Sequence, residues 1–193
     1  MIVNDPRRPG RSPTARLRRA AICAAVALAS AAGAAQAAEP GIPTEIQIEP
    51  GHKLYLEAHA VGVQIYTCNG TAWTLAGPRA NLYDRRGRIL GTHFAGPTWQ
   101  AKDGSKVVAA RVNGINVDPT AIDWLLLSKV SAEPGPRERD DLLGDTTFIQ
   151  RINTVGGLAP AASQCSASST GARVEIPYTA DYVFFKARRP CKD

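Results

Sequence analysis

The residues able to do chemistry in this chain are few. His93 precedes Phe94-Ala95-Gly96-Pro97-Thr98-Trp99, where Gly-Pro breaks an extended run. A histidine beside such a bend can be held at a cleft mouth as an acid–base group. Asp103 and Ser105 complete the residue types of a hydrolytic triad, and Asp181 offers His93 a second carboxylate. A structural reading competes. No G-x-S-x-G elbow is present, Asp103-Gly104-Ser105 is turn chemistry, and the His93 ring can hydrogen-bond a carbonyl of its bend. Hydrolase or lyase chemistry through His93 with Asp103 or Asp181 is therefore the alternative expectation, behind binding.

Binding has its own candidates. Gln150, Arg151 and Asn153 lie in one strand-like stretch, and alternation puts Gln150 and Ile152 on one face, Arg151 and Asn153 on the other. An inward Arg151 needs a carboxylate, with Asp123 and Asp181 as candidates, or a wet pocket. Trp99 and Tyr182, like Trp73, Trp124, Tyr66 and Tyr178, combine an apolar body with a polar tip, suited to a pocket wall or to ordinary core. The expected ligand-binding set is Trp99, Gln150, Arg151, Asn153 and Tyr182. No metal is expected. His52 and His59 are an odd number of positions apart and face opposite sides of a regular strand, and no two cysteines form a C-x-x-C pair. No G-x-G-x-x-G or βαβ frame is present, which excludes a Rossmann-type nicotinamide enzyme, and no cofactor is expected.

These residues need strands to hold them. Lys53–Ala58, Val63–Cys68 and Thr71–Leu75 are β-forming runs, with Gly62 marking a bulge or bend and Asn69-Gly70 a two-residue hairpin link. Two further hairpins turn at 84–88 and 102–105, where Asp and Gly fall as tight turns require. Ile122–Leu127 is read as buried extended structure, and 131–145 as a mobile, Pro- and charge-rich surface loop. A strand over Thr146–Asn153 stops at Gly156-Gly157, a loop follows over 159–172, and Tyr178–Lys186 is the last strand. The pattern predicts an all-β domain, an antiparallel β-sandwich or partly closed barrel with long surface loops and little helix.

The amino-terminal stretch carries an address. Six arginines precede an uncharged run from Ala20 to Ala35 that ends in Ala35-Gln36-Ala37, the layout of a cleaved secretory signal over 1–37. The run is short of a bilayer span, so no stable membrane span is expected after cleavage. The remaining 38–193 is read as one domain, with its core at about 42–186 and a short tail. The net charge of +6 belongs largely to the leader. Without it, 17 of the 23 Lys and Arg and 16 of the 17 Asp and Glu remain, which removes the basic footprint of a nucleic-acid binder. Export, to periplasm or medium, favours a disulfide. Cys68, Cys165 and Cys191 allow three pairings. Cys191 sits two residues from the end, so Cys68–Cys165 is expected and the role of Cys191 stays open.

Six ordered motifs carry a family likeness: Gly62–Cys68, His93–Trp99, Asp103–Ser105, Ile122–Leu127, Gln150–Gly157 and Pro177–Tyr182. Together they resemble the domain-of-unknown-function family numbered 3455, a set of mostly exported bacterial and fungal proteins. The resemblance covers about 42–185 and implies that Cys68 and Cys165 stand at the family's usual cysteine positions. It implies no activity. The leading expectation is thus an exported domain that binds a small ligand or an envelope or extracellular component. A third reading is a purely structural or stress-related surface protein.

Overall fold

Apolar–polar alternation between Gly-, Asn- and Asp-bearing turns produces eight strands. They are β1 (His52–Cys68), β2 (Trp73–Tyr83), β3 (Ile89–Phe94), β4 (Thr98–Ala101), β5 (Lys106–Ile115), β6 (Trp124–Glu133), β7 (Thr146–Gly156) and β8 (Arg173–Ala187). The computed structural model describes residues 41–137 and 139–189. The expected signal segment and Cys191 lie outside the described residues. The other regular elements described are 3-10 turns at Thr44–Ile46, Ala162–Gln164 and Ala167–Ser169.

Every strand pairs antiparallel with its sequence neighbour, and β1 also pairs with β8, closing one sheet into a ring. The fold is therefore all-β, and the barrel closes more fully than the sequence pattern implied. The ring is uneven: β1 and β8 pair from His52↔Ala187 to Thr67↔Arg173, whereas β6 and β7 pair only over Leu125–Ser128. Inward positions alternate with outward ones. Ala58, Ala60, Ala80 and Ala180 keep one wall thin, which accommodates Trp99, Tyr182 and Phe184, each about 1% exposed. Truncating any of these three to Ala would cost about 3–5 kcal/mol.

Four local expectations change. Gly62 pairs in regular register with Ala80 and Tyr178, and the register shifts of β1 fall instead at Leu54/Leu56 and Ile65/Tyr66. Gly62 is needed because a Cβ there would collide with the Arg79 carbonyl and Ala80 backbone of β2. The link after β1 has four residues, since Cys68 pairs with Trp73. Asn69 Oδ1 accepts the backbone N–H of Thr71 and Ala72, an Asx-type turn that replaces the two-residue hairpin. β2 runs as one strand from Trp73 to Tyr83, well past the Leu75 at which the β-forming run was expected to stop. Finally, 131–145 is tethered: Leu142 N–H donates to Asp103 Oδ2, Leu143 N–H donates to Ser105 Oγ, and Leu143 is buried in the core. The loop plugs one end of the ring.

Cys68 and Cys165 are bonded as expected, tying the 159–172 loop to the end of β1 across 97 positions.

Candidate functional site

Arg151 is the centre of the interior site. On β7, Ile149 points inward and Gln150 outward, so the next residue returns to the interior, and its register partner is the inward Tyr182. Its Nε and Nη2 donate to the Asp123 backbone carbonyl at 3.0 and 2.8 Å. The two expected carboxylate partners are engaged elsewhere. Asp123 pairs with Arg111 at 3.2 Å and accepts from Asn116, and Asp181 lies on the outer face. Arg151 thus brings a positive charge inside with no carboxylate against it among the described residues.

Aromatic residues surround this charge. The His93 ring stacks on Trp99 with centroids 4.2 Å apart and meets the edge of Tyr182 at 4.9 Å. His93 Nδ1–H donates to the Thr98 carbonyl at 2.9 Å, the bond to the bend anticipated by the structural reading. Burial pushes the His93 pKa down to about 3; the bond to Thr98 opposes the shift, and the Arg151 charge adds to it. His93 is therefore a neutral ring. Burial also pushes the Tyr66, Tyr178 and Tyr182 hydroxyls up, with Arg151 opposing each shift. One guanidinium is therefore felt by four interior side chains.

Several of these interior polar groups are unsatisfied. Trp99 Nε1, Tyr178 OH, Tyr182 OH and Gln64 Oε1 are buried without a hydrogen-bond partner among the described residues. The two tyrosine hydroxyls lie near each other and near Arg151, but no bond of normal geometry joins them. Each orphaned buried group costs about 1–3 kcal/mol, and native interiors seldom keep several unless water or a ligand serves them. Tyr66, by contrast, donates to the Gly157 carbonyl at 2.7 Å.

A second arrangement faces outward. β7 leaves its register between Ile152 and Val155, and Asn153 adopts φ 51°, the one positive φ at a non-glycine among the described residues. This turns its carboxamide to Asp181 Oδ2 at 2.8 Å, while Asp181 Oδ1 holds His59 Nδ1 at 2.7 Å. The pair borders a cleft of about 340 Å³ whose lining includes Glu57, Tyr83 and Arg85.

The expected site residues are therefore distributed over four places. Trp99, Arg151 and Tyr182 meet inside, joined by His93. Asn153 and Asp181 stand outside, because the β7 irregularity breaks the face shared on paper by Arg151 and Asn153. Gln150 also points outward and donates to the Ile46 carbonyl at 2.6 Å, holding the Thr44–Ile46 turn against the ring. Asp103 serves the plug: burial raises its pKa, but hydrogen bonds from Ser105 and Leu142 outweigh this and leave it lowered. Neither carboxylate is bonded to His93. Gln64 and His59 were missed. Gln64 was detectable as a polar residue at an inward position between Gly62 and Tyr66, whereas His59 meets Asp181 only through the closing β1–β8 pairing. Among the described residues, no group of three or more His, Cys, Asp or Glu is arranged to hold a metal.

A family model described as "Protein of unknown function (DUF3455)" matches residues 49–186. No curated protein and no solved structure matches the chain.

Proposed function

Because the chain belongs to this family of proteins of unknown function, its role has to be read from its own residues, and we propose that it is an exported binding protein holding a small ligand inside its β-ring. The observation that carries this reading is the set of unpartnered buried polar groups inside the ring, on Trp99, Tyr178, Tyr182 and Gln64, of which the two tyrosines feel the Arg151 charge. Ligand sites in barrels combine apolar walls with a few convergent polar groups, which is the composition here. The leader-like segment and the Cys68–Cys165 bond support export. Acid–base chemistry, as the second reading, moves from His93 to His59. His93 is buried, neutral and committed to Thr98, whereas His59 is half exposed and oriented by Asp181 beside an open cleft.

Native mass spectrometry of protein recovered from the exported fraction tests the binding reading. A retained small molecule that is lost in Tyr182→Phe is the expected result. Bare protein, together with no thermal stabilisation by any small molecule in a chemically diverse panel, would overturn it.

A further inference from the structure

We infer that the interior ligand carries a carboxylate, seated on the free edge of Arg151 and on the hydroxyl and indole donors around it; this rests on the interior-binding reading above. The argument is one of donor count and charge. Of these four orphaned interior atoms, the Trp99 Nε1–H can only donate and the two tyrosine hydroxyls, which feel the Arg151 charge, can donate, leaving Gln64 Oε1 as the sole obligate acceptor. Arg151 spends one edge on the Asp123 carbonyl, and its Nη1 has no acceptor among the described residues. An acceptor-only, negatively charged group serves the three donors and the Arg151 edge, whereas Gln64 Oε1 needs a donor of its own.

Charge points the same way. Arg111 lies opposite the inward Leu127 and is the second guanidinium at this end of the ring. Among the described residues the Asp123 carboxylate is the one acid bonded into this group, and it is bound by Arg111 and Asn116. Arg111 is half exposed and paired with Asp123, so the charge left without an acid among the described residues is that of Arg151, whose register partner is the fully buried Tyr182. Arg151 is partly buried, a cation that has lost part of its hydration without gaining a counter-ion, and a bound anion offsets that loss. The planar guanidinium fork matches a planar carboxylate in two parallel bonds. Trp99 and Phe184 meet edge to face at 6.3 Å and belong to the apolar interior that these donors share.

The test follows the Trp99 indole N–H by NMR while full-length mature protein is titrated with acetate and benzoate, at constant ionic strength in chloride. Benzamide serves as the neutral control and inorganic phosphate as the competing oxyanion. A saturable downfield shift of the Trp99 signal with benzoate or acetate, at least tenfold weaker in Arg151→Gln, is expected. If Arg151→Gln fails to fold, Tyr182→Phe removes one donor while keeping the packing, and should weaken the same titration. Benzamide binding as tightly as benzoate would overturn the carboxylate assignment and leave interior binding standing. Phosphate binding without either carboxylate would also overturn it. No response to any of the four probes would count against both this inference and the reading on which it rests.

Discussion

Lowering the pH from 7 to 4.5 should cost this fold about 2.5 kcal/mol through His93 alone. The unfolded imidazole takes its proton near pH 6.5, whereas the folded ring is held to about 3 by burial, with the Arg151 charge adding to the shift against the bond to Thr98. For a base with a depressed folded pKa, stability is fully present above the unfolded value. It falls by about 1.4 kcal/mol per pH unit below 6.5 and levels off near 3. At pH 4.5 the unfolded state lies two units below its pKa and is almost wholly protonated, while the folded state has scarcely begun to titrate. The window also excludes the carboxylates held low by their hydrogen bonds, Asp84, Asp103, Asp118 and Asp145, whose contributions are lost as pH falls through lower values. The measurement is urea denaturation at pH 7, 6, 5 and 4.5 for wild type and His93→Phe. Phenylalanine keeps an aromatic ring against Trp99 and leaves the Thr98 carbonyl without its donor. The variant should therefore show a pH-independent loss of about 1–3 kcal/mol. The wild-type advantage should shrink by about 2.5 kcal/mol across the series. A constant difference between the two proteins from pH 7 to 4.5 would refute the reasoning.

Replacing Cys68 and Cys165 together by Ser should cost about 4–5 kcal/mol, the chain-entropy value for a loop of this size, and reduction of wild type should match it. A loss under about 1 kcal/mol in urea titrations would show that the bond restrains little. Gly62→Ala should destabilise by about 1–3 kcal/mol and speed hydrogen exchange of the β1–β2 amides, because the new Cβ meets β2 backbone; unchanged exchange there refutes it. Asp103→Ala removes the acceptor for Ser105 and Leu142, so limited proteolysis should cut within 131–145 faster than in wild type. An unchanged cleavage rate would mean that Leu143 holds the plug unaided.

The sequence made some of these features legible and hid others, for identifiable reasons. The hairpins at 84–88 and 102–105 were readable because the signal is local: Asp84 and Asp103 each accept the N–H groups of their own turn. The Asn69-Gly70 turn misled because an asparagine that captures the next two N–H groups has the same dipeptide signature as a tight hairpin. Alternation separated the Arg151 face from the Gln150 face but left open which points inward, because apolar residues, Ile149 and Ile152, stand on both. That the partner of Arg151 is a backbone carbonyl did not follow, since no pattern of side chains records it. Asn153 left the expected face because one irregularity in β7 shifts every residue after Ile152. The plug and the His59–Asp181 pair join residues far apart in the chain, and distant pairing leaves no period to read.

Closure of the ring by its first and last strands also dictates when the molecule can fold. β1 has one edge available to β2 early, but the other waits for β8, which also brings Tyr178, Tyr182 and Phe184 to the core. Contacts of such sequence separation form late and slowly. A chain that has not yet gained β8 therefore stays open along one edge of β1 and lacks the aromatic part of its core. The same arrangement makes carboxy-terminal truncation severe: a stop before Tyr178 would leave β1 from His52 to Gly62 without its β8 partner and open to strands of other chains, giving aggregates in place of a shortened domain.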